Sequence, residues 1–271
     1  RNHALSQVPQ EEYPYAFWCD TDDVLRGGEH FGIILERMNE RRIGSVFLNY
    51  VYSADFDEKG NIKNTKIEHL RERIFRNDGS YTWKGPLHET LIPQRELPVT
   101  DFPEADVVHI ADESKFPMAV ERNTKTLEWC MLQPEYREDA RYLMSLGKSY
   151  YDLEKWEEAK FLLERYIPKS GWAEERSQAW GLLGSIALRQ GKPEEALKKF
   201  VNAQLENPGS PEVYLLQSMA YLHMGLFEHA ERMLQNALNA PPRQTTLVTN
   251  PKDMAAKAYE IAFQVALKKG E

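Results

Sequence analysis

The chain has 271 residues, of which 42% are hydrophobic and 28% are charged, and its formal net charge at pH 7 is −8. These values are ordinary for a globular protein of one or two domains, and the acidic balance argues against a protein that binds the nucleic-acid backbone. No apolar run approaches the ~20 residues that a membrane span needs. The two cysteines, Cys19 and Cys130, fit neither a zinc motif nor a disulfide framework, so we expect a cytoplasmic location.

Negative charge is concentrated in the first half of the chain. Residues 1–134 carry 16 Lys and Arg against 23 Asp and Glu, a net charge of −7, which leaves −1 for residues 135–271. An acidic first half is compatible with a site that recruits metal cations.

An apolar segment, residues 16–19, ends in Asp20, Thr21, Asp22 and Asp23. This pattern predicts a strand that brings Asp20 and Asp22 to the end of a sheet. Alternate strand residues point to opposite faces, so both carboxylates can meet one cation if the chain turns there. Hard divalent cations that carry phosphates use such oxygen ligands. The alternative is an acidic turn that caps the strand, with Asp23 as the capping residue.

Further elements follow in the first half. The pattern predicts a helix over 29–42, a strand over 45–52, a turn over 57–61, a strand over 71–76 and a strand over 105–110. A second acidic pair, Asp112 and Glu113, comes after the last strand. The next predicted element is a connecting helix, residues 118–132.

Several features occur in an order that resembles a known enzyme family. Arg1-Asn2 is followed by Asp20-x-Asp22, by an Arg-rich segment over 71–77, by a Trp-x-Gly-x-x-His-Glu segment over 83–89 and by a late histidine, His109. This order resembles the second half of a GT-A fold family 2 glycosyltransferase. The resemblance implies a partial, Rossmann-like α/β domain over 1–115, a connecting helix over 116–134 and an all-α region over 135–271.

The resemblance also implies roles at matching positions. Asp20, Asp22 and His109 would hold Mn²⁺ or Mg²⁺ against the diphosphate of a nucleotide-sugar donor, most simply a UDP-sugar. Glu89 would be the general base, and a structural role is expected for His88. The donor would contact Asp20, Arg73, Arg76, Trp83 and Gly85. A divalent ion can stabilise a departing diphosphate as a Lewis acid, and a positioned base contributes about 10²–10⁴-fold in rate.

The second half contains internal repeats with a period of 34 residues. Residues of matching size recur in each copy, and the best copy contains Trp180, Leu183, Gly184, Ala187, Ala196, Phe200, Ala203 and Pro208. The next copy runs from Tyr214 to Pro242, an earlier one begins near Leu143, and a partial one has Tyr259, Ala262, Ala266 and Gly270. The pattern resembles the tetratricopeptide repeat, a pair of helices that buries its apolar face by stacking on the next pair. We expect about three repeats and a C-terminal capping helix that follows Asn250.

Two functions from different classes follow from the sequence. The first is a metal-dependent, inverting glycosyltransferase whose repeats bind either the acceptor, a protein or a glycan, or a separate protein partner. In that family the residues before Asp-x-Asp bind the nucleotide, so a chain that starts at Arg1 is expected to have little transferase activity alone. The second is a non-enzymatic adaptor that binds a protein partner on its repeats. A metal-dependent phosphohydrolase is less favoured, because it would need more ligands than the sequence offers.

Overall fold

The computed structural model describes residues 1–87, 89–110, 116–241 and 251–269, and these fall into two compact units. The first unit comprises 1–110, and the second comprises 116–241 with 252–269. Predictions for His88, for the pair Asp112 and Glu113, and for Pro242, Asn250 and Gly270 lie outside the described residues.

The first unit is built on a five-stranded sheet. Its elements are α1 (Asn2–Ser6), β1 (Tyr15–Phe17), β2 (Asp23–Arg26), α2 (Phe31–Glu40), β3 (Ser45–Phe56), β4 (Ile62–Arg76), β5 (Tyr81–Lys84), β6 (Thr90–Pro93) and β7 (Val99–His109). The strand order is β1-β4-β3-β7-β2, and β5 and β6 form a separate two-stranded sheet. The two long strands β3 and β4 are joined by the predicted turn, where Asp57 accepts hydrogen bonds from the backbone N–H groups of Lys59 and Asn61.

The sheet is mixed rather than parallel. β3 pairs with β7 in parallel, whereas β1 with β4, β3 with β4 and β2 with β7 pair antiparallel. A Rossmann-type sheet is mostly parallel, so the first unit is a sheet-containing fold that differs in this respect from the one the resemblance implies.

Hydrophobic residues cover both faces of the sheet. On one face α2 packs on the strands, with a buried core formed by Ile34, Met38, Ile43, Val46, Leu48, Tyr50, Ile74, Phe102, Ala105 and Val107. The other face meets the β5–β6 hairpin through Phe75, Tyr81, Trp83 and Leu91. The alternation of side chains along β3 and β4 supplies both faces from the same strands.

The second unit is a stack of antiparallel helix pairs. Its helices are α3 (Phe116–Leu132), α4 (Ala140–Asp152), α5 (Trp156–Tyr166), α6 (Ala173–Arg189), α7 (Pro193–Glu206), α8 (Pro211–His223), α9 (Phe227–Leu238) and α10 (Pro251–Lys269). The pairs are α4 with α5, α6 with α7 and α8 with α9. No helix in the described part of the chain combines the length and hydropathy that crossing a bilayer requires.

Small residues set the spacing within each helix pair. A β-carbon added at Gly184 in α6 would lie 2.3 Å from Cε1 of Phe200, a fully buried ring of α7. At the equivalent position of α8, the hydroxyl of Ser218 donates to the carbonyl of Ala230 at 2.6 Å. The recurrent small residue of the sequence pattern is therefore the point where paired helices approach most closely.

Candidate functional site

A buried ion pair lies at the centre of the first unit. Asp23 begins β2, and its Oδ2 lies 3.1 Å from Nη1 of Arg73 in β4, with both side chains fully buried. The Arg73 guanidinium lies between two aromatic rings, 4.1 Å from the centroid of Trp18 and 4.2 Å from that of Tyr50. Such stacking suits the planar, weakly hydrated guanidinium and offsets part of the desolvation cost of the charge.

Asp23 uses both carboxylate oxygens. Its Oδ1 accepts a hydrogen bond from the Tyr50 hydroxyl at 3.2 Å, and its Oδ2 accepts one from the backbone N–H of Asp20 at 2.9 Å. The second bond closes the turn that follows β1, so Asp23 does cap the turn. The same side chain also neutralises a buried arginine, a role that the sequence did not indicate.

His109 joins this cluster from the end of β7. Residues Asp23 and His109 are direct partners across the β2–β7 pairing. Nδ1 of His109 lies 3.2 Å from Oδ1 of Asp23 and 3.6 Å from Oδ1 of Asp22, and its ring stacks on Tyr52 with centroids 5.3 Å apart. One ligand atom from each of Asp22, Asp23 and His109 lies within 4.8 Å of the other two.

Asp20, which the resemblance assigned to the metal, lies apart from these three ligand atoms. Its carboxylate lies 3.0 Å from Nη2 of Arg1, and Glu89, the expected base, lies 3.4 Å from Nε of the same guanidinium. The Arg1 guanidinium also stacks on Trp18 and Trp83, 4.3 and 4.9 Å from the ring centroids. Arg1 thus occupies the space between the two predicted site carboxylates.

Arg73 and Arg76 were expected to contact the donor phosphates, but the structure uses both inside the first unit. Arg73 is fully buried. Arg76 donates to the carbonyl oxygens of Ile43 and Met38 at 2.9 and 2.8 Å, where it ties the end of α2 to the sheet. Arg73 is inaccessible to a phosphate because it is buried, although its Nε and Nη2 have no hydrogen-bond partner among the described residues, and Arg76 is bonded to the backbone at the end of α2.

Trp83 and Gly85 belong to the hairpin side of this unit. The backbone N–H of Trp83 donates to the side chain of Asn2 and its carbonyl accepts from the same amide, both at 2.8 Å. Its ring meets Trp18 edge to face at 5.0 Å and is almost fully buried. Gly85 follows with a φ of +104°, which favours glycine at the end of β5. Trp83 is therefore part of the core, whereas Gly85 is a partly exposed residue of the turn that follows β5.

Burial and charge shift several pKa values around the ion pair. Burial and the nearby Asp23 carboxylate raise the pKa of the Tyr50 hydroxyl, which therefore stays protonated. Burial, with the charges of Arg71 and Arg73, lowers the pKa of His69 to about 4. Burial and the charge of Arg73 lower the pKa of Arg71 as well. The cluster therefore contains neutral His69 and Tyr50 around one balanced ion pair.

The second unit has a different kind of site, an exposed apolar stripe on α10. One face of this helix, Ala258, Ile261 and Val265, packs on α8 and α9. Tyr259, Phe263 and Leu267 lie four residues apart on another face and are 78%, 68% and 64% exposed. A capping helix usually has a polar outer face, so this stripe is unexpected on the helix that the sequence suggested as a cap.

Residues 187–248 match the family model of the tetratricopeptide repeat. The prediction of such repeats is confirmed for that part of the chain. The sequence matches none of the curated proteins.

Solved structures of repeat proteins resemble the helical part. One structure of MamA (MSR-1) is 22% identical over 47% of this chain and 71% of its own, with a TM-score of 0.40. The TPR2B domain of yeast Sti1, solved as a complex with pHsp70, is 14% identical over 48% and 97%, with a TM-score of 0.41. The Yersinia enterocolitica type III secretion chaperone SycD, solved with a peptide of the translocator YopD, is 18% identical over 48% and 93%, with a TM-score of 0.40. Likenesses of this degree say nothing about function.

The prediction of a glycosyltransferase is wrong. The family match is to a repeat, and the comparisons give no evidence for a GT-A glycosyltransferase domain. The geometry agrees, because Arg73 is fully buried, Arg76 is bonded to the backbone at the end of α2, and Asp20 and Glu89 pair with Arg1.

Proposed function

We propose that this chain is a non-enzymatic adaptor that binds a protein partner through its helical repeats. The observation that carries the proposal is the apolar stripe of Tyr259, Phe263 and Leu267 on α10. Contiguous exposed apolar side chains on a folded protein mark interaction surfaces, and stacked helix pairs present extended binding surfaces.

The spacing of the stripe favours a helical partner segment. Residues at i, i+4 and i+8 form one row that is about 12 Å long at 1.5 Å per residue. An amphipathic helix that lies along such a row presents its own apolar residues at i, i+3, i+4 and i+7. Tyr259 and Phe263 are suited to be the anchors, because aromatic side chains dominate the binding energy of many interfaces.

A site-specific cross-link tests this assignment. A photoreactive phenylalanine analogue in place of Tyr259 should capture one defined segment of a partner, and that segment should bind the wild-type chain as a synthetic peptide. Phe263→Glu should weaken peptide binding at least tenfold, because a charge would be buried against the apolar partner face. Phe161→Glu is the matched control, since Phe161 in α5 is 60% exposed and lies outside the stripe.

Two results would refute the proposal that the chain is an adaptor. The proposal fails if the captured peptide binds Phe263→Glu as well as the wild type, or if the chain captures only a second copy of itself. Asp20→Ala with Asp22→Ala should leave peptide binding unchanged, because those residues belong to the first unit.

A second function, the binding of a divalent cation, is favoured by the geometry around His109. We propose that Asp22, His109 and Oδ1 of Asp23 hold Mn²⁺ or Mg²⁺, since their ligand atoms lie within 4.8 Å of one another. Two carboxylates and one imidazole suit Mn²⁺ better than Mg²⁺, which takes oxygen ligands and waters. Asp22 is 55% exposed and Asp23 is shared with Arg73, so Asp22 and His109 would supply most of the binding.

Titration calorimetry with MnCl₂ and MgCl₂ distinguishes this site from the one expected from the sequence. Asp22→Ala should abolish saturable Mn²⁺ binding, whereas Asp20→Ala should retain it. Loss of binding in Asp20→Ala as well as in Asp22→Ala would instead support the site that includes Asp20. Absence of Mn²⁺ binding by the wild type would refute the metal proposal.

A further inference from the structure

An unassigned cavity of about 680 Å³ lies in the first unit, between the sheet and the β5–β6 hairpin. Its walls include Phe47 from β3, Tyr81 from β5, Leu91 from β6 and Val99 from β7. Val99 is 60% exposed although it begins a strand. A volume of about 300–1,000 Å³ with mostly apolar walls is typical of sites for small molecules.

The charge at this cavity is negative. Glu72 and Glu96 line it, and neither forms a salt bridge within the part of the chain that the structure describes. The lining cation, Arg95, is already balanced, since its Nη2 lies 2.8 Å from Oδ2 of Asp78 and its Nε donates to Ser80 at 2.8 Å. The two glutamates therefore give the cavity a net negative charge.

The strand register places an acidic residue opposite Phe47 on each of its two neighbouring strands. Phe47 is opposite Glu72 in β4 and opposite Asp101 in β7. Directly opposite residues share a face of the sheet, so the register places these two acidic residues on the same face as Phe47. An aromatic ring beside carboxylates is the arrangement that attracts an organic ammonium group, through the ring face and through charge.

The cavity wall is also held in place by close packing. A β-carbon added at Gly44 would lie 2.4 Å from the Tyr81 hydroxyl and 2.5 Å from Cβ of Leu97, another lining residue. A preformed wall of this kind reduces the ordering cost of binding a small ligand.

We propose that this cavity binds a small organic amine, with its apolar body against Phe47, Leu91 and Val99 and its ammonium group near Glu72 and Glu96. Each partly exposed ion pair contributes modestly to the affinity, while the apolar body of the ligand supplies most of it. Selectivity for the cation over an anion of the same shape is the property that identifies the site.

Titration of the ¹⁵N-labelled chain with tryptamine tests the proposal, with indole-3-acetate as the anion of similar shape. Tryptamine should shift the backbone amides of Leu91, Leu97 and Val99 in a saturable way, and indole-3-acetate should bind about tenfold more weakly. Glu72→Gln with Glu96→Gln should lower tryptamine affinity roughly three- to tenfold and reduce the difference between the two indoles. Glu11→Gln with Glu12→Gln removes two exposed carboxylates elsewhere and is the matched control.

Val99→Lys adds a positive charge to the cavity at an exposed position and should abolish tryptamine binding. If this variant does not fold, the paired glutamine substitutions still decide the result. Equal affinity for the two indoles, no effect of the glutamine substitutions, or shifts confined to residues outside the cavity would each overturn the proposal.

Discussion

The first unit buries an ion pair at its centre, whereas the second unit buries hydrocarbon and small residues between stacked helices. Arg73 is fully buried beside Asp23, but no charged residue of the second unit is buried among those that the structure describes. The buried polar side chains there are neutral, such as Ser177 and Ser218, which donate to carbonyl oxygens of the paired helix. Stability should therefore depend on charge in one unit and on shape in the other.

The largest expected effect comes from removing half of the buried pair. Asp23→Ala leaves Arg73 as an uncompensated charge and should destabilise the first unit by roughly 3–5 kcal/mol. Hydrogen exchange, read separately for β3–β4 and for α6–α9, measures the change in each unit. Protection in α6–α9 should be unchanged.

Two further variants sharpen this result. Asp20→Ala, at an exposed carboxylate, is the control and should change stability little. Asp23→Leu with Arg73→Met replaces both charges by apolar groups and should cost less than Asp23→Ala alone. A loss below about 1 kcal/mol for Asp23→Ala would show that the stability of the first unit does not depend on this pair.

Shape is tested by an added methyl group in each unit. Gly184→Ala should destabilise the second unit by roughly 1–3 kcal/mol, because the buried ring of Phe200 cannot move away. Gly44→Ala should have a similar effect on the first unit by pushing Tyr81 and Leu97 apart. Thermal unfolding of both variants checks these values.

The control is Gly32→Ala in α2, where an added β-carbon meets no atom within 4 Å. This substitution should stabilise the first unit by up to about 1 kcal/mol, because alanine is the better helix former. A stabilising Gly184→Ala would contradict the close approach of α6 and α7.

The two units should respond to acid with opposite signs. The pKa of His69 is lowered to about 4, so between pH 6.5 and 4 the unfolded chain binds a proton that the folded chain does not. The first unit should lose roughly 1–2 kcal/mol between pH 7 and pH 5, a range already reduced because His69 is partly exposed. In the second unit, partial burial of the Glu175 carboxylate raises its pKa, so the folded state binds the extra proton and gains stability as pH falls.

Hydrogen exchange at pH 7 and pH 5, read separately for each unit, measures how the stability of each unit changes with pH. His69→Gln should reduce the pH dependence of stability in the first unit, and Glu175→Gln should reduce it in the second. Parallel loss of protection in both units would refute this assignment.

The repeats could be predicted from the sequence because their contacts are local and periodic. Gly184 and Phe200 are 16 residues apart on adjacent helices, and a small residue and a large apolar residue recur 34 residues later as Ser218 and Leu234. The ion pair could not be predicted, because Asp23 and Arg73 are 50 residues apart and lie on two strands, β2 and β4, that do not pair with each other. Register shifts between Val46 and Phe47 decide which side chains of β4 point inward.

Asp22 and His109 were both singled out from the sequence, and the structure brings them together. Asp23 was expected only to cap a turn, and a carboxylate on a turn carries no sequence signal that it faces a buried arginine. Arg73 and Arg76 were assigned to phosphate contacts through the family resemblance, and their burial was not foreseen because arginine is usually exposed. Tyr50 was missed because it lies in an apolar strand pattern.

The smallest effect tests a single hydrogen bond in the second unit. The Ser210 hydroxyl accepts from the backbone N–H of Val213 and caps α8. Ser210→Ala should cost about 1 kcal/mol, whereas Ser210→Asp keeps an N-cap acceptor and should recover most of that loss. Because each repeat contacts its neighbours, protection should fall most in α8 and α9, less in α6 and α7, and not in the sheet. Equal loss of protection in both units would mean that they unfold cooperatively. The contrast between charge in one interior and shape in the other would then not correspond to two separate stabilities.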